Sequence, residues 1–221
     1  MLTSALRRGP RAFASRASRQ YNTQVDWKNK YASKIRTAEE AVRLVTPKNR
    51  VFMSGNSGVP QQLLQALVKH APSLSDVEVV QILTHAPADY VGPEMSGHLR
   101  VNTLFISANV RSAVQEGRAD FTPCFLSQVP HLFLDGVLPL DVAFLQLSPP
   151  DEHGFCSFGV EVGVTHSAAR VAKYNIAGSP LLRLCLFKSP SPLFNINKCY
   201  YFIRINCFSA SFLVAEQSFM G

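Results

Sequence analysis

The 221-residue chain has no long apolar run and no closely spaced cysteine pair. No stretch reaches the ~18 uninterrupted apolar residues of a membrane-spanning helix, so no membrane partner is expected. An odd number of scattered cysteines without a CxxC pair argues against a secreted disulfide framework and favours free thiols in a reducing compartment. These cysteines are Cys124, Cys156, Cys185, Cys199 and Cys207.

Several metal-binding, catalytic and nucleotide-binding motifs are missing as well. The six histidines show neither HxxH nor HxxxH spacing and have no cysteine at ligand distance, so a zinc site is not expected. The chain has no GxSxG elbow, no Walker loop and no GxGxxG fingerprint. A nucleotide-binding module of the Rossmann type is therefore a weak interpretation.

Acidic residues are scarce at both ends of the chain, where Glu216 is the one acid outside residues 26–161. Residues 1–25 contain five Arg and no Asp or Glu, and residues 162–215 contain no acid. The central residues 26–174 hold thirteen basic and fourteen acidic side chains. The net charge of +7 thus belongs to the ends, whereas a nucleic-acid-binding domain carries its basic excess on a folded face. No nucleic-acid partner is expected.

Residues 1–21 have the composition of a mitochondrial transit peptide. They are rich in Arg, Ser and Ala, and Leu2, Leu6, Phe13 and Ala17 fall on one side of a helix while the arginines spread over the other. A secretory signal would need a continuous apolar core instead. We expect a location in the mitochondrial matrix, with a disordered basic tail as the alternative.

Residues 22–174 alternate between predicted strands and helices. This order predicts an α/β fold with an open, mostly parallel sheet and flanking helices. The predicted helices are 37–45, 60–68, 109–116, 123–133 (broken by Pro130) and 165–173. The predicted strands are 50–54, 77–83, one ending at 104–107, and 141–147.

The character changes in the divergent tail, residues 175–221. The tail holds six of the fifteen Phe and three of the five Cys, without a helical or alternating period. It is not expected to continue the domain, and whether it folds stays open. The leading hypothesis is a retained intron or a mispredicted exon, and the alternative is a genuine splice form.

Two loops are candidate sites. Gly55-Asn56-Ser57-Gly58 lies between a predicted strand and helix, where backbone N–H groups can hold an anion, although an ordinary turn explains it as well. Asp151-Glu152-His153 offers acid–base groups, but adjacent loop charges more often cap turns. Ser148 and Ser157 show no base partner, and Glu161 is not favoured as a nucleophile.

Several segments resemble the acetyl-CoA hydrolase/transferase family, in its N-terminal half only. The most specific of these segments is Ser148-Pro-Pro-Asp-Glu-His-Gly-Phe-Cys-Ser-Phe-Gly159. The other matching segments are Gly55–Gly58 with the following Pro-Gln-Gln-Leu-Leu, Phe105–Arg111, Gly117–Asp120 and Ala168–Lys173.

The resemblance implies a CoA-transferase-like domain that is incomplete at its C-terminus. It implies an acetyl-CoA hydrolase or acetate (succinate) CoA-transferase. In such an enzyme a glutamate attacks the acyl-CoA thioester and forms first an acyl-glutamyl anhydride and then a glutamyl-CoA thioester. In this family that glutamate lies in the C-terminal half, so no catalytic residue is assigned here. Gly55, Asn56, Ser57 and Gly58 are the candidate substrate-binding residues.

The implied ligands are acyl-CoA and small carboxylates such as acetate and succinate, with no bound cofactor and no metal. Three questions stay open: which acyl group is preferred, whether transfer or hydrolysis dominates, and whether the chain associates with a second copy or a full-length form. The alternative is a non-catalytic mitochondrial interaction protein in which tail residues Phe187, Phe194, Phe202 and Phe208 cover the sheet.

Overall fold

The computed structural model describes residues 27–151, 153–159, 161–179, 193–199 and 201–204. The predicted transit peptide, Glu152, and tail residues such as Phe187 and Phe208 lie outside these described residues. No helix in the described ranges has the length and apolar character needed to cross a bilayer.

The described chain contains six α-helices, ten strands and several short 3₁₀ turns. The helices are α1 Trp27–Lys30, α2 Ala38–Val42, α3 Gln61–His70, α4 Arg111–Gln115, α5 Val129–Leu134 and α6 Thr165–Val171. The first five strands are β1 Ile35–Arg36, β2 Arg50–Met53, β3 Val77–Gln81, β4 Leu99–Thr103 and β5 Asp120–Phe121. The others are β6 Val142–Gln146, β7 Phe155–Ser157, β8 Tyr174–Ser179, β9 Leu193–Asn195 and β10 Tyr201–Arg204.

Eight strands form one sheet in the order β1-β10-β8-β6-β2-β3-β4-β5. Every neighbouring pair in it is parallel. Strands β7 and β9 form a separate antiparallel pair. The predicted α/β fold with an open, mostly parallel sheet and flanking helices is confirmed.

Alternate residues of the central strands pack into two different apolar layers, as the two-residue period of a strand requires. Val51 and Met53 of β2 pack with α2 and α3, whereas Phe52 packs with α5 and α6. Phe52 meets Phe133 of α5 edge to face, with ring centroids 5.5 Å apart. Both faces of the sheet are therefore covered by helices.

The local signals at two helix boundaries have different outcomes. Thr37 and Glu40 form the predicted capping box, in which Thr37 Oγ1 accepts from the Glu40 N–H at 3.1 Å. The predicted helix over 123–133 is wrong in its first half, because α5 begins only at Val129. Pro130 lies in the first turn of α5, where its missing N–H costs no helical hydrogen bond.

The prediction for the third strand is also displaced. Leu104–Ser107 was expected to end it, but β4 ends at Thr103 and these residues follow it. Thr103 Oγ1 donates to the Phe105 carbonyl at 2.7 Å, which turns the chain away from the sheet. The segment 104–107 therefore belongs to the loops at the carboxyl edge.

The predicted boundary at residue 174 coincides with the start of a strand. Residues Tyr174–Ser179 form β8, which pairs with β6 over Val142–Gln146. Beyond it, β10 lies between β8 and β1. The described part of the tail thus adds strands to the same sheet, while the division of the chain into domains stays a prediction.

Asp141 ties three parts of the amino edge of the sheet together. Its carboxylate accepts from the Arg50 backbone N–H at 2.8 Å and from Lys173 Nζ at 2.6 Å. Partial burial raises the pKa of the Asp141 carboxyl, but the hydrogen bonds from Lys173 and Arg50 outweigh it and leave the pKa below its ordinary value. The starts of β2, β6 and β8 are fixed by one ionised side chain.

Candidate functional site

The order of the strands reverses between β2 and β6. From β2 the chain proceeds to β3, β4 and β5 on one side, then returns to place β6 on the other side of β2. In open α/β sheets ligands bind outside the carboxyl ends of the strands at such a switch point. The loops that leave β2 and β6 are the Gly55–Gly58 loop and the segment that begins at Leu147, so the two candidate loops leave the sheet side by side.

Close packing against the loop after β3 explains the first glycine of the Gly55–Gly58 loop. A Cβ atom added to Gly55 would lie 2.5 Å from the Leu83 carbonyl oxygen. The next residue, Asn56, donates its backbone N–H to the same oxygen at 2.6 Å and has φ +48°, a conformation that Asn tolerates better than most residues. The loop is therefore held against β3 by its backbone.

The four predicted substrate-binding residues do not share one environment. Gly55 and Gly58 are buried, Asn56 is half-buried and Ser57 is exposed. Within the described residues, the backbone N–H groups of Gly55, Ser57 and Val59 donate no hydrogen bond. Ser57 is the one exposed residue of the four, and substrate binding by this loop stays a prediction.

Glu161 joins the two loops of the switch point. Asn56 Nδ2 donates to Glu161 Oε2 at 2.5 Å, across 105 positions of sequence. A Cβ atom on Gly58 would lie 2.6 Å from the Glu161 Cβ, so glycine is needed there too. Sequence patterns alone did not favour Glu161, because its contact with Asn56 depends on the order of the strands.

A second polar cluster lies on the next two loops along the carboxyl edge. Asn109 Nδ2 donates to Thr84 Oγ1 at 3.1 Å and to the Ala86 carbonyl at 2.7 Å. Ser107 Oγ donates to Asn109 Oδ1 at 2.5 Å. Asn109 therefore braces the loops after β3 and β4, which was not expected of a residue predicted only to open a helix.

Tyr90 and Gln81 extend this cluster into the core. Tyr90 Oη donates to Gln81 Oε1 at 2.7 Å, and burial raises the pKa of the Tyr90 phenol above its ordinary value. Gln81 is fully buried, and its Nε2 has no hydrogen-bond partner in the described part of the chain. A neutral phenol thus holds the end of β3.

Asp151 and His153, two members of the candidate acid–base triplet, lie at a turn. Asp151 Oδ1 accepts from the His153 N–H at 2.9 Å and from the Phe155 N–H at 2.8 Å. Ser148 Oγ accepts from the Ser157 N–H at 2.8 Å, and Ser157 Oγ accepts from the Gly159 N–H at 3.0 Å. These side chains stabilise the loop, and Glu152 lies outside the described residues.

Thiols and metal ligands form no cluster in the ranges the structure describes. There, no three His, Cys, Asp or Glu side chains lie together as a metal site would require. Cys156 and Cys199 are buried cysteines, and burial raises the pKa of Cys199 to about 12. The Cys199 thiol is therefore protonated at neutral pH and packs in the core.

Curated relatives of the chain are CoA transferases. The chain is 41% identical over 153 residues to the 4-hydroxybutyrate coenzyme A transferase of Clostridium kluyveri, covering 69% of this chain and 36% of that protein. It is 41% identical over 129 residues to the succinyl-CoA:acetate/propanoyl-CoA:succinate CoA transferase of Fasciola hepatica, covering 58% and 27%. The chain thus spans about a third of the length of the curated relatives it matches.

Solved structures show the same fold. A 4-hydroxybutyrate CoA-transferase from Porphyromonas gingivalis aligns with a TM-score of 0.66 at 28% identity, over 81% of this chain and 41% of that one. RipA from Yersinia pestis aligns with a TM-score of 0.73 at 22% identity, over 82% and 44%, which shows the fold alone.

The family model for the acetyl-CoA hydrolase/transferase N-terminal domain matches residues 17–178. This range contains both loops of the switch point, six of the eight strands of the main sheet and all but the last residue of β8, while β10 lies beyond it. The chain belongs to the acetyl-CoA hydrolase/transferase family through its N-terminal domain.

Proposed function

We propose that this chain is the N-terminal part of a mitochondrial matrix enzyme that moves CoA between small carboxylic acids, with acetate and succinate as substrates. Acetyl-CoA hydrolysis is the same chemistry with water as the acceptor. The observation that carries the proposal is the meeting of the Gly55–Gly58 loop and the loop after β6 at the switch point, joined by Asn56 and Glu161.

The proposed role of the Gly55–Gly58 loop is to hold the carboxylate or acyl oxygen. Two features support this role: Ser57 is exposed, and its backbone N–H has no acceptor among the described residues. Backbone N–H groups that point at a developing oxyanion lower the barrier to acyl transfer. The covalent step itself is proposed to need a glutamate supplied by sequence beyond these 221 residues.

The first test is a CoA-exchange assay on the purified chain. We expect no acetyl-CoA to form from succinyl-CoA and acetate, and no free CoA to be released in the absence of acetate. Measurable exchange by the pure chain would overturn the need for an external glutamate. A long transcript read across codons 170–221 tests the same point independently, because it shows whether the message continues into a second domain.

The second test uses a chimera, in which residues 22–174 replace the matched segment of the Clostridium kluyveri enzyme. We expect Ser57→Leu in this chimera to raise KM for the carboxylate acceptor, because a bulky side chain would stand at the mouth of the site. Ser75→Leu is the matched control, since Ser75 is also exposed but lies just before β3 at the opposite edge. Equal KM values for both variants would exclude the loop as the carboxylate site.

The proposed location has its own test. Residues 1–26 fused to a fluorescent protein are expected to carry it into the mitochondrial matrix, and replacing Arg7 and Arg8 by Glu is expected to abolish import, since transit peptides are poor in acidic residues. Cytosolic fluorescence from the unmodified fusion would contradict the matrix assignment.

A second candidate function is binding to another protein without catalysis. One observation favours it: several large apolar side chains between residues 121 and 137 are exposed, and exposed apolar patches mark interaction surfaces. They are Phe121, Phe125, Leu126, Leu134 and Val137. Isolation of the intact short chain from mitochondria with a defined partner, together with no exchange activity, would favour this candidate.

A further inference from the structure

An open cleft of about 370 Å³ lies beside α6, and none of its lining residues belongs to the Gly55–Gly58 loop. Its volume is in the range of small-molecule sites. The lining residues are Phe155, His166, Arg170, Phe194, Asn195 and Lys198. The cleft therefore combines strand β7, helix α6 and the described part of the tail.

Three of the lining side chains are basic. His166 and Arg170 are four positions apart on α6 and so share one face of the helix. Lys198 ends the 3₁₀ turn Ile196–Lys198. The three groups line the same cleft, where burial lowers the pKa of the His166 imidazole and the charges of Arg170 and Lys198 lower it further.

No acidic side chain lines this cleft within the described residues, and Arg170 and Lys198 form no ion pair there. Three basic residues elsewhere in the described chain are paired: Arg50 with Glu78, Arg100 with Asp120, and Lys173 with Asp141. Arg170 and Lys198 are exposed, so solvent screens most of the repulsion between them, and a bound anion would gain the attraction of both charges. The cleft is thus distinguished by an excess of positive charge.

The opposite wall of the cleft is aromatic. Phe155 is 37% exposed, whereas Phe194 is buried. The Phe158 ring meets both the His166 ring and the Phe194 ring edge to face, at 5.9 and 5.6 Å between centroids. This packing fixes the imidazole on one side and leaves the exposed Phe155 ring for the apolar part of a ligand.

We propose that the cleft binds a phosphate-bearing ligand, with Arg170 and Lys198 holding the phosphate oxygens and Phe155 contacting the remainder. Arginine is suited to phosphate because its planar fork donates two parallel hydrogen bonds. A phosphate dianion also matches two permanent cations better than a single carboxylate does. The proposal is independent of acyl transfer at the switch point.

The test is isothermal titration calorimetry of the purified full chain with inorganic pyrophosphate. We expect saturable binding, and Arg170→Gln and Lys198→Gln are each expected to weaken it about fivefold, the upper range for exposed charge pairs. Lys69→Gln is the matched control, because Lys69 is exposed on α3 in the other helix layer and removes the same charge. Circular dichroism checks that each variant is folded.

Two further arms identify the source of the phosphate. Tighter binding of adenosine 3′,5′-bisphosphate than of pyrophosphate, lost in Phe155→Ala, would assign a nucleotide-type ligand, and equal binding would assign the phosphate group alone. An NMR titration should show the His166 midpoint moving to higher pH with pyrophosphate. Any of three results would overturn the proposal. They are a failure of binding to saturate at millimolar pyrophosphate, an unchanged midpoint of the His166 titration, and equal weakening of binding by Lys69→Gln.

Discussion

The contact between Gly55 and the loop after β3 predicts a large effect from adding one methyl group. In Gly55→Ala the new Cβ would lie 2.5 Å from the Leu83 carbonyl oxygen, and contacts under 3.0 Å are essentially never seen for real Cβ atoms. The Leu83 carbonyl is backbone and the backbone also fixes the position of the Cβ atom, so no side-chain rotation can make room. The loop must move away from β3.

The cost has two parts. Forcing an extra carbon into a packed region costs about 1–3 kcal/mol. The movement also weakens the hydrogen bond from the Asn56 N–H to Leu83, whose loss costs about 1 kcal/mol. A total near 3 kcal/mol corresponds to a fall in Tm of about 10 °C for a chain of this size.

The assay is urea denaturation of the full chain together with hydrogen exchange at the Asn56 amide. Gly97→Ala is the control, because Gly97 has φ +79° with no atom within 4 Å of an added Cβ, so it adds backbone strain without a steric clash. We expect Gly97→Ala to cost about 1 kcal/mol. If Gly55→Ala cost no more than Gly97→Ala, or left the Asn56 amide equally protected, the reasoning would be refuted.

Three further predictions concern single contacts. A double-mutant cycle of Asn56→Gly and Glu161→Ala should give a coupling free energy of about 1 kcal/mol, whereas strict additivity would remove the proposed link between the loops. Folding lowers the pKa of Asp141, so its contribution to the free energy of unfolding is present above the unfolded-state pKa and is lost as pH falls through the folded-state pKa. Asp141→Asn should therefore cost about 1 kcal/mol in urea unfolding at pH 7 and almost nothing near pH 2. An equal cost at both pH values would count against the ion pair. In native protein at pH 8, mass spectrometry should show iodoacetamide labelling Cys199 about a hundredfold more slowly than the half-buried Cys124, with comparable labelling in urea; similar native rates would disprove the burial of Cys199.

Local signals in the sequence were sufficient for the elements that depend on local physics. The capping box at Thr37 and the apolar stripe of α3 are decided within one or two turns of helix, and both are present. Local signals failed where distant contacts decide. The tail gave no periodicity, yet β8 forms because it pairs with β6, a partner thirty-two positions away at Val142–Tyr174.

By itself, the sequence determined the fold class, the family and the position of both loops at the ends of strands, because alternating apolar strands and helices permit few arrangements. Only the tertiary structure decided which groups meet. The contact between Asn56 and Glu161 requires β6 to lie beside β2, and the basic cleft requires residues 193–199 to pack beside α6. Chain order carries no direct record of such contacts, since they arise when non-neighbouring strands share a sheet.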